Sequence, residues 1–472
     1  MTEFAEDVEF WDRHYTAEAD AKVRPLRQSQ PEEQHRGQVR IAYRLAAKHR
    51  NSLMFVYGLG WFFWDGKRWS EDHQGRANLA VLDVFKTALA ESVTDKTLRD
   101  DVRKCETANG IRGVLDIAAA LPEFARTVDQ LDADPNKLNT QTGVLDLSTG
   151  DLLPHDPRLG CTKITTAGYE PATSSSISST WLTFLEQALP DEEVRAYFQR
   201  LIGLALLGAV REHILPIATG SGGNGKGVAY TAVLHALGGY AYAAENDLFT
   251  SAKANANAAS PALMGLRGMR LVVVSETERD QPLAEALMKV ITGGDAITAR
   301  PLYGKPVSFQ PSHLAIMVTN HLPRVSGDDA AIWRRLRVVP FNVSFRDHPD
   351  TGLGERLRGD ADQVLAWAVD GWFRYQEIGL AEPESVKVAT GDYRRSSDAV
   401  ARFVSDICVV SPHVHVGHRE LLSAWRSWCA DTGELPGTER AFSSAIEDHG
   451  HPARRTNTGK RYAGLALSAE DE

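Results

Sequence analysis

Cysteine is scarce in this 472-residue chain: Cys105, Cys161, Cys408 and Cys429 stand far apart, with no Cys-x-x-Cys pair. That argues against a zinc ribbon, a redox dithiol or a disulfide framework, and the expectation is reduced thiols in a cytosol. No run approaches the roughly 18 to 20 uncharged apolar residues of a membrane span. The start, MTEFAEDVEF, is acidic where a signal peptide is basic and then apolar, so the reading is a soluble, unexported, cytoplasmic protein with no membrane partner. Positive charge is not in excess either. A formal net charge of -10 excludes a protein that coats nucleic acid through bulk charge, yet permits a basic channel inside an acidic particle. Internal repeats are absent.

What is present is apolar mass: 43% of residues are hydrophobic and 24% charged, enough for more than one core and for two to four domains. The sequence divides into an α+β domain over 1–170, a Ser/Thr-rich linker over 171–180, an α/β ATPase domain over 181–380 and a C-terminal unit over 381–472. In the first, helical spacing over Val39 to His49, Asn78 to Val93 and Ile111 to Val128 flanks an aromatic hairpin, Phe55–Tyr57 and Trp61–Trp64. Asp65-Gly66 predicts a tight type I′ turn before Lys67-Arg68-Trp69. The linker, PATSSSISST, offers nothing to bury. Residues Glu382 to Ser397 read as a polar connection to the last unit. That unit has helices near Val400–Ile407, Arg419–Cys429 and Glu439–His449 and a basic hairpin carrying Arg454, Arg455, Lys460 and Arg461, which suggests a winged helix that touches DNA phosphate.

The chemistry concentrates in the ATPase domain. Gly220-Ser221-Gly222-Gly223-Asn224-Gly225-Lys226-Gly227 follows an apolar strand, Ile214 to Ala218, and opens a helix from Val228 to Leu237. Glycines let successive N–H groups turn toward phosphates, the helix N-terminus adds partial positive charge, and the lysine reaches the terminal phosphates. The strand-loop-helix setting outweighs the reading of a glycine turn with an incidental lysine. One position departs from the P-loop pattern: Gly227 stands where Ser or Thr would place a hydroxyl on magnesium.

Leu271 to Ser275 reads as a buried parallel strand that ends in acids, Glu276 and Glu278, placed to hold Mg2+ directly or through water and to polarise the attacking water. A third strand, Leu314 to Thr319, ends in Asn320, which suits a bridge between water and γ-phosphate. Between them, Lys289 to Phe309 reads as a helix end, a glycine turn and two strands whose tip carries Tyr303, Gly304 and Lys305. An aromatic and a lysine on a short tip fit a base and a phosphate of single-stranded nucleic acid. Trp333-Arg334-Arg335 then leads into the strand before Pro340-Phe341, and an arginine there is placed either as a surface charge or to reach a neighbour's γ-phosphate.

In this order the motifs resemble the superfamily 3 helicases, specifically the phage and plasmid primase-helicase family related to the poxvirus primase-helicase. The likeness is strongest over 180–345, looser over 40–170 around Leu138-Asn139 and Gly143 to Leu147, and extends to a winged-helix tail. It implies an AAA+ ATPase core in a ring, a hexamer, that pulls single-stranded DNA through its pore with 3′ to 5′ polarity, with ATP and Mg2+ as cofactors. It also implies unidentified replication proteins as partners and a bacterial host cytoplasm. Lys226 carries over as the Walker A lysine, Glu276 as the Walker B acid, Asn320 as sensor, Lys305 as the pore-hairpin lysine and Arg335 as the arginine finger, with Arg334 the rival. Residues before 171 lack the paired carboxylates with a nearby histidine that a primase needs, so the reading is helicase without primase. The alternatives are a non-helicase P-loop DNA-dependent ATPase and a non-catalytic DNA-binding replication factor.

Overall fold

The computed structural model describes residues 35–171, 179–245, 248, 261–275, 282–300, 306–325, 330–434, 436–456 and 459–468. It is a multidomain α/β architecture that divides into two compact units. The first holds residues up to Asp65 with Trp69–Thr127; the second holds Gly66–Arg68 and everything from Val128 onward. The first unit thus ends at Thr127, not at 170, because the apolar residues that follow belong to another core: Leu138, Leu145, Leu147 and Tyr169 pack in one cluster with Trp181 and Phe198.

In the first unit, helices α1 (Gly37–His49), α2 (Arg76–Glu91), α3 (Lys96–Cys105) and α4 (Ala108–Ala118) pack beside a sheet in the order β3-β2-β1-β4, with β1 Leu53–Val56, β2 Gly60–Trp64, β3 Trp69–Glu71 and β4 Ala125–Arg126. The caps have a chemical cause. Asp95 accepts from the Leu98 N–H at 3.0 Å and Thr107 from the Gly110 N–H at 2.9 Å, each satisfying a donor that the helix leaves open. Ile41, Leu45, Val81, Phe85, Val102 and Val114 fill the core; each such side chain stabilises by about 1.5–3 kcal/mol when fully buried. Two details differ from the sequence expectation. The helix expected over 111–128 stops at Ala118, ahead of Pro122, which cannot continue it. The connection after β2 spans four residues, since Trp64 pairs with Trp69, so it is longer than a two-residue type I′ turn.

The second unit begins with a small antiparallel sheet, β5 Lys137–Asn139, β6 Val144–Asp146 and β7 Leu152–Leu153. Helices α5 (Thr180–Ala188) and α6 (Glu192–Leu204) follow. Residues 172–178 of the expected linker lie outside the described residues. A parallel sheet comes next: β8 Leu215–Thr219, β9 Ala241–Ala244, β10 Leu271–Ser275, β13 Leu314–Thr319 and β14 Leu336–Pro340, in the order β14-β8-β13-β10-β9. Both faces are covered, which is why these strands read as continuous apolar runs: Ala218, Val273 and Ile316 face one cluster, Ile217, Val272 and Met317 the other. Helix α7 (Lys226–Leu237) follows β8; α8 (Glu285–Ile291) precedes the hairpin of β11 (Ile297–Ala299) and β12 (Val307–Phe309).

Helix α9 (Ala361–Ile378) crosses α6 at a glycine pair. A Cβ on Gly203 would meet the Trp372 nitrogen at 2.2 Å, and one on Gly371 would meet the Gln199 carbonyl oxygen at 2.2 Å, so only glycine allows this crossing. Residues 384–397, expected as a polar connection, form helix α10 (Glu384–Ser397) instead. Val386 and Tyr393 are buried on one face while Val388 is exposed, and Thr390 Oγ1 accepts from the Val338 N–H on the edge strand at 2.9 Å. The chain ends in helices α11 (Ala399–Ile407), α12 (His418–Thr432) and α13 (Glu439–Asp448) with a sheet ordered β15-β17-β16, where β15 is Cys408–Gly417, β16 Ala453–Thr456 and β17 Gly459–Leu467. They close on their own core of Phe403, Trp425, Trp428, Phe442, Tyr462 and Leu465, so the two tryptophans are core residues.

Candidate functional site

The carboxyl ends of β8, β13 and β10 converge on one cavity of about 500 Å³, lined by the glycine loop, Lys226, Gly227, Ser275, Thr319 and Asn320. Strand order causes this convergence. Placing β13 between β8 and β10 sets Asn320 beside the loop that follows Thr219, its paired neighbour being Thr319. Lys226 is the first residue of α7 and is buried. Its Nζ donates to Asn320 Oδ1 at 2.6 Å, to Asn224 Oδ1 at 3.1 Å and to the Gly220 carbonyl at 3.3 Å. Asn224 in turn donates to the Phe341 carbonyl at 2.8 Å, pinning the loop to the end of β14.

The loop backbone needs its glycines. Gly222, Gly223 and Gly225 have φ of +88°, +67° and +78°, and a Cβ on Gly220 would lie 2.4 Å from the Phe341 carbonyl oxygen. Gly227 differs from these, since a Cβ there meets nothing within 4 Å. Ser275 is exposed at the end of β10 and lines the cavity; Glu276 and Glu278, which follow it, lie outside the described residues. Among the described residues no group of three or more His, Cys, Asp or Glu side chains is placed to hold a metal ion.

The remaining candidates are spread around this centre. Tyr303, Gly304 and Lys305 lie outside the described residues, while the strands that flank them pair in the expected way, Ile297 with Phe309 and Ala299 with Val307. Arg335 turns inward and donates to Thr292 Oγ1 at 3.1 Å, which ties the entry of β14 to the turn after α8. Arg334 beside it is exposed. On the C-terminal sheet, Arg454 stands opposite Arg461 and Arg455 opposite Lys460, with Arg454 and Arg455 exposed. Lys460 is drawn inward, 2.9 Å from Glu447 Oε1 and over the Tyr462 ring at 5.1 Å. Burial pulls its pKa down, but the Glu447 carboxylate and Tyr462 outweigh this and leave it raised. His418 Nδ1 lies 3.1 Å from the Tyr462 hydroxyl and its Nε2 2.8 Å from Glu439 Oε1.

A family described as "D5 N terminal like" matches residues 42–190, and a "Family of unknown function (DUF5906)" matches 218–335. The chain is similar to D5-like primase-helicases. Among curated relatives it is 28% identical over 345 residues to "Putative helicase L207/L206" of Acanthamoeba polyphaga mimivirus, covering 67% of this chain and 35% of that protein. It is 28% identical over 310 residues to "Putative helicase 022R" of Frog virus 3, covering 62% and 32%. To "Putative primase C962R" of African swine fever virus, isolate Tick/Malawi/Lil 20-1/1983, it is 24% identical over 374 residues, covering 74% and 38%. The chain therefore spans about a third of the length of these viral proteins. In fold it resembles the apo C-terminal region of NrS-1, with a TM-score of 0.52 at 11% identity over 92% of this chain and 100% of that one. No helix among the described residues is long and apolar enough to cross a membrane.

Two residues at this site carried no sequence signal. The Phe345 N–H donates to the Gly223 carbonyl at 2.7 Å, and the Arg346 guanidinium donates to the Ser221 carbonyl, so the segment after β14 lies across the loop. The residues joined by these two bonds are 122 (345 − 223) and 125 apart in sequence, and the pairing of β14 with β8 brings them together.

Proposed function

We propose that this chain is the motor of an ATP-dependent DNA helicase that moves 3′ to 5′ along single-stranded DNA as a hexameric ring in phage- or plasmid-type replication. The observation that carries the reading is the Lys226–Asn320 contact of 2.6 Å at the ends of two neighbouring parallel strands, over a cavity rimmed by glycine backbone. A lysine at the N-terminus of a helix, beside a glycine-rich loop, suits an anion, and a P-loop in an AAA+ core is the arrangement that uses it. Lys226 and the loop N–H groups hold the β- and γ-phosphates of ATP, and Asn320 orients the attacking water. Glu276, next after Ser275 in the chain, accepts the water proton, with Glu278 beside it in sequence.

Magnesium, when bound, neutralises phosphate charge. The oxygen donors available to it are the exposed Ser275 hydroxyl and the following acids, while Gly227 supplies none. Arg334 is exposed and better placed than Arg335 to reach the neighbouring subunit, since Arg335 is held by Thr292. The hairpin tip with Tyr303 and Lys305 grips DNA in the ring, and Arg454 and Arg455, on a winged-helix-like unit of three helices and a three-stranded sheet, add phosphate contacts. Strand displacement with ATP on forks carrying a single 3′ or 5′ tail tests this. The 3′-tailed fork alone is unwound. Hydrolysis stimulated by single-stranded DNA without displacement of either fork would leave a DNA-dependent ATPase that is no helicase.

A further inference from the structure

A second cavity, about 980 Å³, shares Gly223, Gly225 and Val228 with the 500 Å³ site but does not include Lys226 in its lining. Resting on the nucleotide reading above, we propose that it takes the base and ribose of an adenine nucleotide whose phosphates lie in the smaller site. Phe345 is the stacking wall and Gln187 reads the base edge. Two cavities joined by one loop match a ligand with an anionic tail and a flat apolar head. The aromatic wall is built over the loop: the rings of Phe184 and Phe345 come within 3.0 and 3.4 Å of where a Cβ on Gly225 would stand. Phe345 is fixed there by its own N–H to the Gly223 carbonyl, 2.7 Å, so its ring sits where the tail ends and the head begins.

Helix α5 supplies the polar side. Thr183 and Gln187 are one turn apart on its cavity face, both exposed, and Phe184 beside them is buried in the cavity's wall. A glutamine amide offers one acceptor and one donor side by side. That pair matches the amino group and N7 of adenine and mismatches guanine, which presents two acceptors at the same edge. Arg346 lines the larger cavity, donates to the Ser221 carbonyl and packs on Gly223 of the shared loop, which suits it to the phosphates nearest the ribose.

Calorimetric titration of the full chain with ADP, GDP and inorganic tripolyphosphate tests this, with thermal melting of each variant as the folding control. Wild-type protein prefers ADP to GDP. Phe345→Ala weakens ADP about tenfold, as loss of one aromatic–base stack does, and leaves tripolyphosphate unchanged. Phe345→Tyr restores ADP, and Gln187→Ala removes the preference over GDP. Equal weakening of ADP and tripolyphosphate, or variants that bind ADP as wild type does, would overturn the base pocket while leaving the phosphate site standing. Wild-type protein that binds neither ADP nor tripolyphosphate would overturn the nucleotide reading, and this assignment with it.

Discussion

Lys226 Nζ lies 2.6 Å from Asn320 Oδ1 although 94 residues separate the two in sequence. The contact exists because β8 and β13 are parallel neighbours whose ends are in register, Thr219 opposite Thr319. The side-chain oxygens of Asn320 and Asn224 and the Gly220 carbonyl all lie within hydrogen-bond reach of this buried ammonium. A phosphate accepts charge-assisted bonds, roughly twice as strong as neutral ones, so on the proposed nucleotide reading the lysine would turn from these oxygens to it.

Replacing the two residues separates binding from turnover. Lys226→Ala loses both nucleotide affinity and hydrolysis, whereas Asn320→Ala keeps most of the affinity and loses turnover by about 100-fold, the scale of one oriented donor in a transition state. Glu276→Gln behaves as Asn320→Ala does. Nucleotide titration beside steady-state hydrolysis checks all three; an Asn320→Ala enzyme with normal turnover removes that residue from the site.

The glycines of the loop differ in what they tolerate. Gly227→Ser leaves fold and binding intact, because nothing lies within 4 Å of its Cβ, and it maintains or raises hydrolysis by adding an oxygen donor. Gly220→Ala forces a Cβ to 2.4 Å from the Phe341 carbonyl and lowers stability by about 2 kcal/mol or more, read in a chemical melt. A destabilised Gly227→Ser would mean that the start of α7 does not follow this path.

The paired arginines are expected to fail differently. Arg335→Ala breaks the bond to Thr292 Oγ1 and lowers stability by about 1 kcal/mol, whereas Arg334→Ala melts as wild type does and loses hydrolysis. Mixing Arg334→Ala with Lys226→Ala subunits, each inactive alone, recovers some hydrolysis if an arginine acts across a subunit boundary. No recovery would return Arg334 to the surface charges.

Acid weakens the second unit through His313. The side chain is buried at the entry to β13, and burial pushes its imidazole down to about 4, with the Ile291 carbonyl pulling the other way. The unfolded chain therefore binds the proton first, so stability falls as pH drops from about 6.5 toward 4, by up to about 1.4 kcal/mol per pH unit. His313→Leu flattens that part of the curve, measured as denaturation midpoint against pH.

The legible part of this protein is local. The glycine loop, the apolar strands around it and Asn320 at a strand end are each written in adjacent residues, so spacing alone locates them. Helix α10 escaped because its exposed face is charged and its buried stripe is short, Val386 and Tyr393. The end of the first unit at Thr127 was hidden because β5–β7 look like any hairpin until their leucines are seen in the core with Trp181. Arg346 and the opposite orientations of Arg334 and Arg335 follow from strand order, which pairs residues far apart in sequence and leaves no local trace.

The central claim, a nucleotide-driven motor on DNA, is met most directly by one rate. ATP hydrolysis by the full chain, measured with and without single-stranded DNA at several salt concentrations, is predicted to rise on adding DNA. The stimulation weakens as salt screens the phosphate contacts, and Lys226→Ala abolishes hydrolysis under both conditions. Hydrolysis that is absent, or that persists unchanged in Lys226→Ala, would contradict the account.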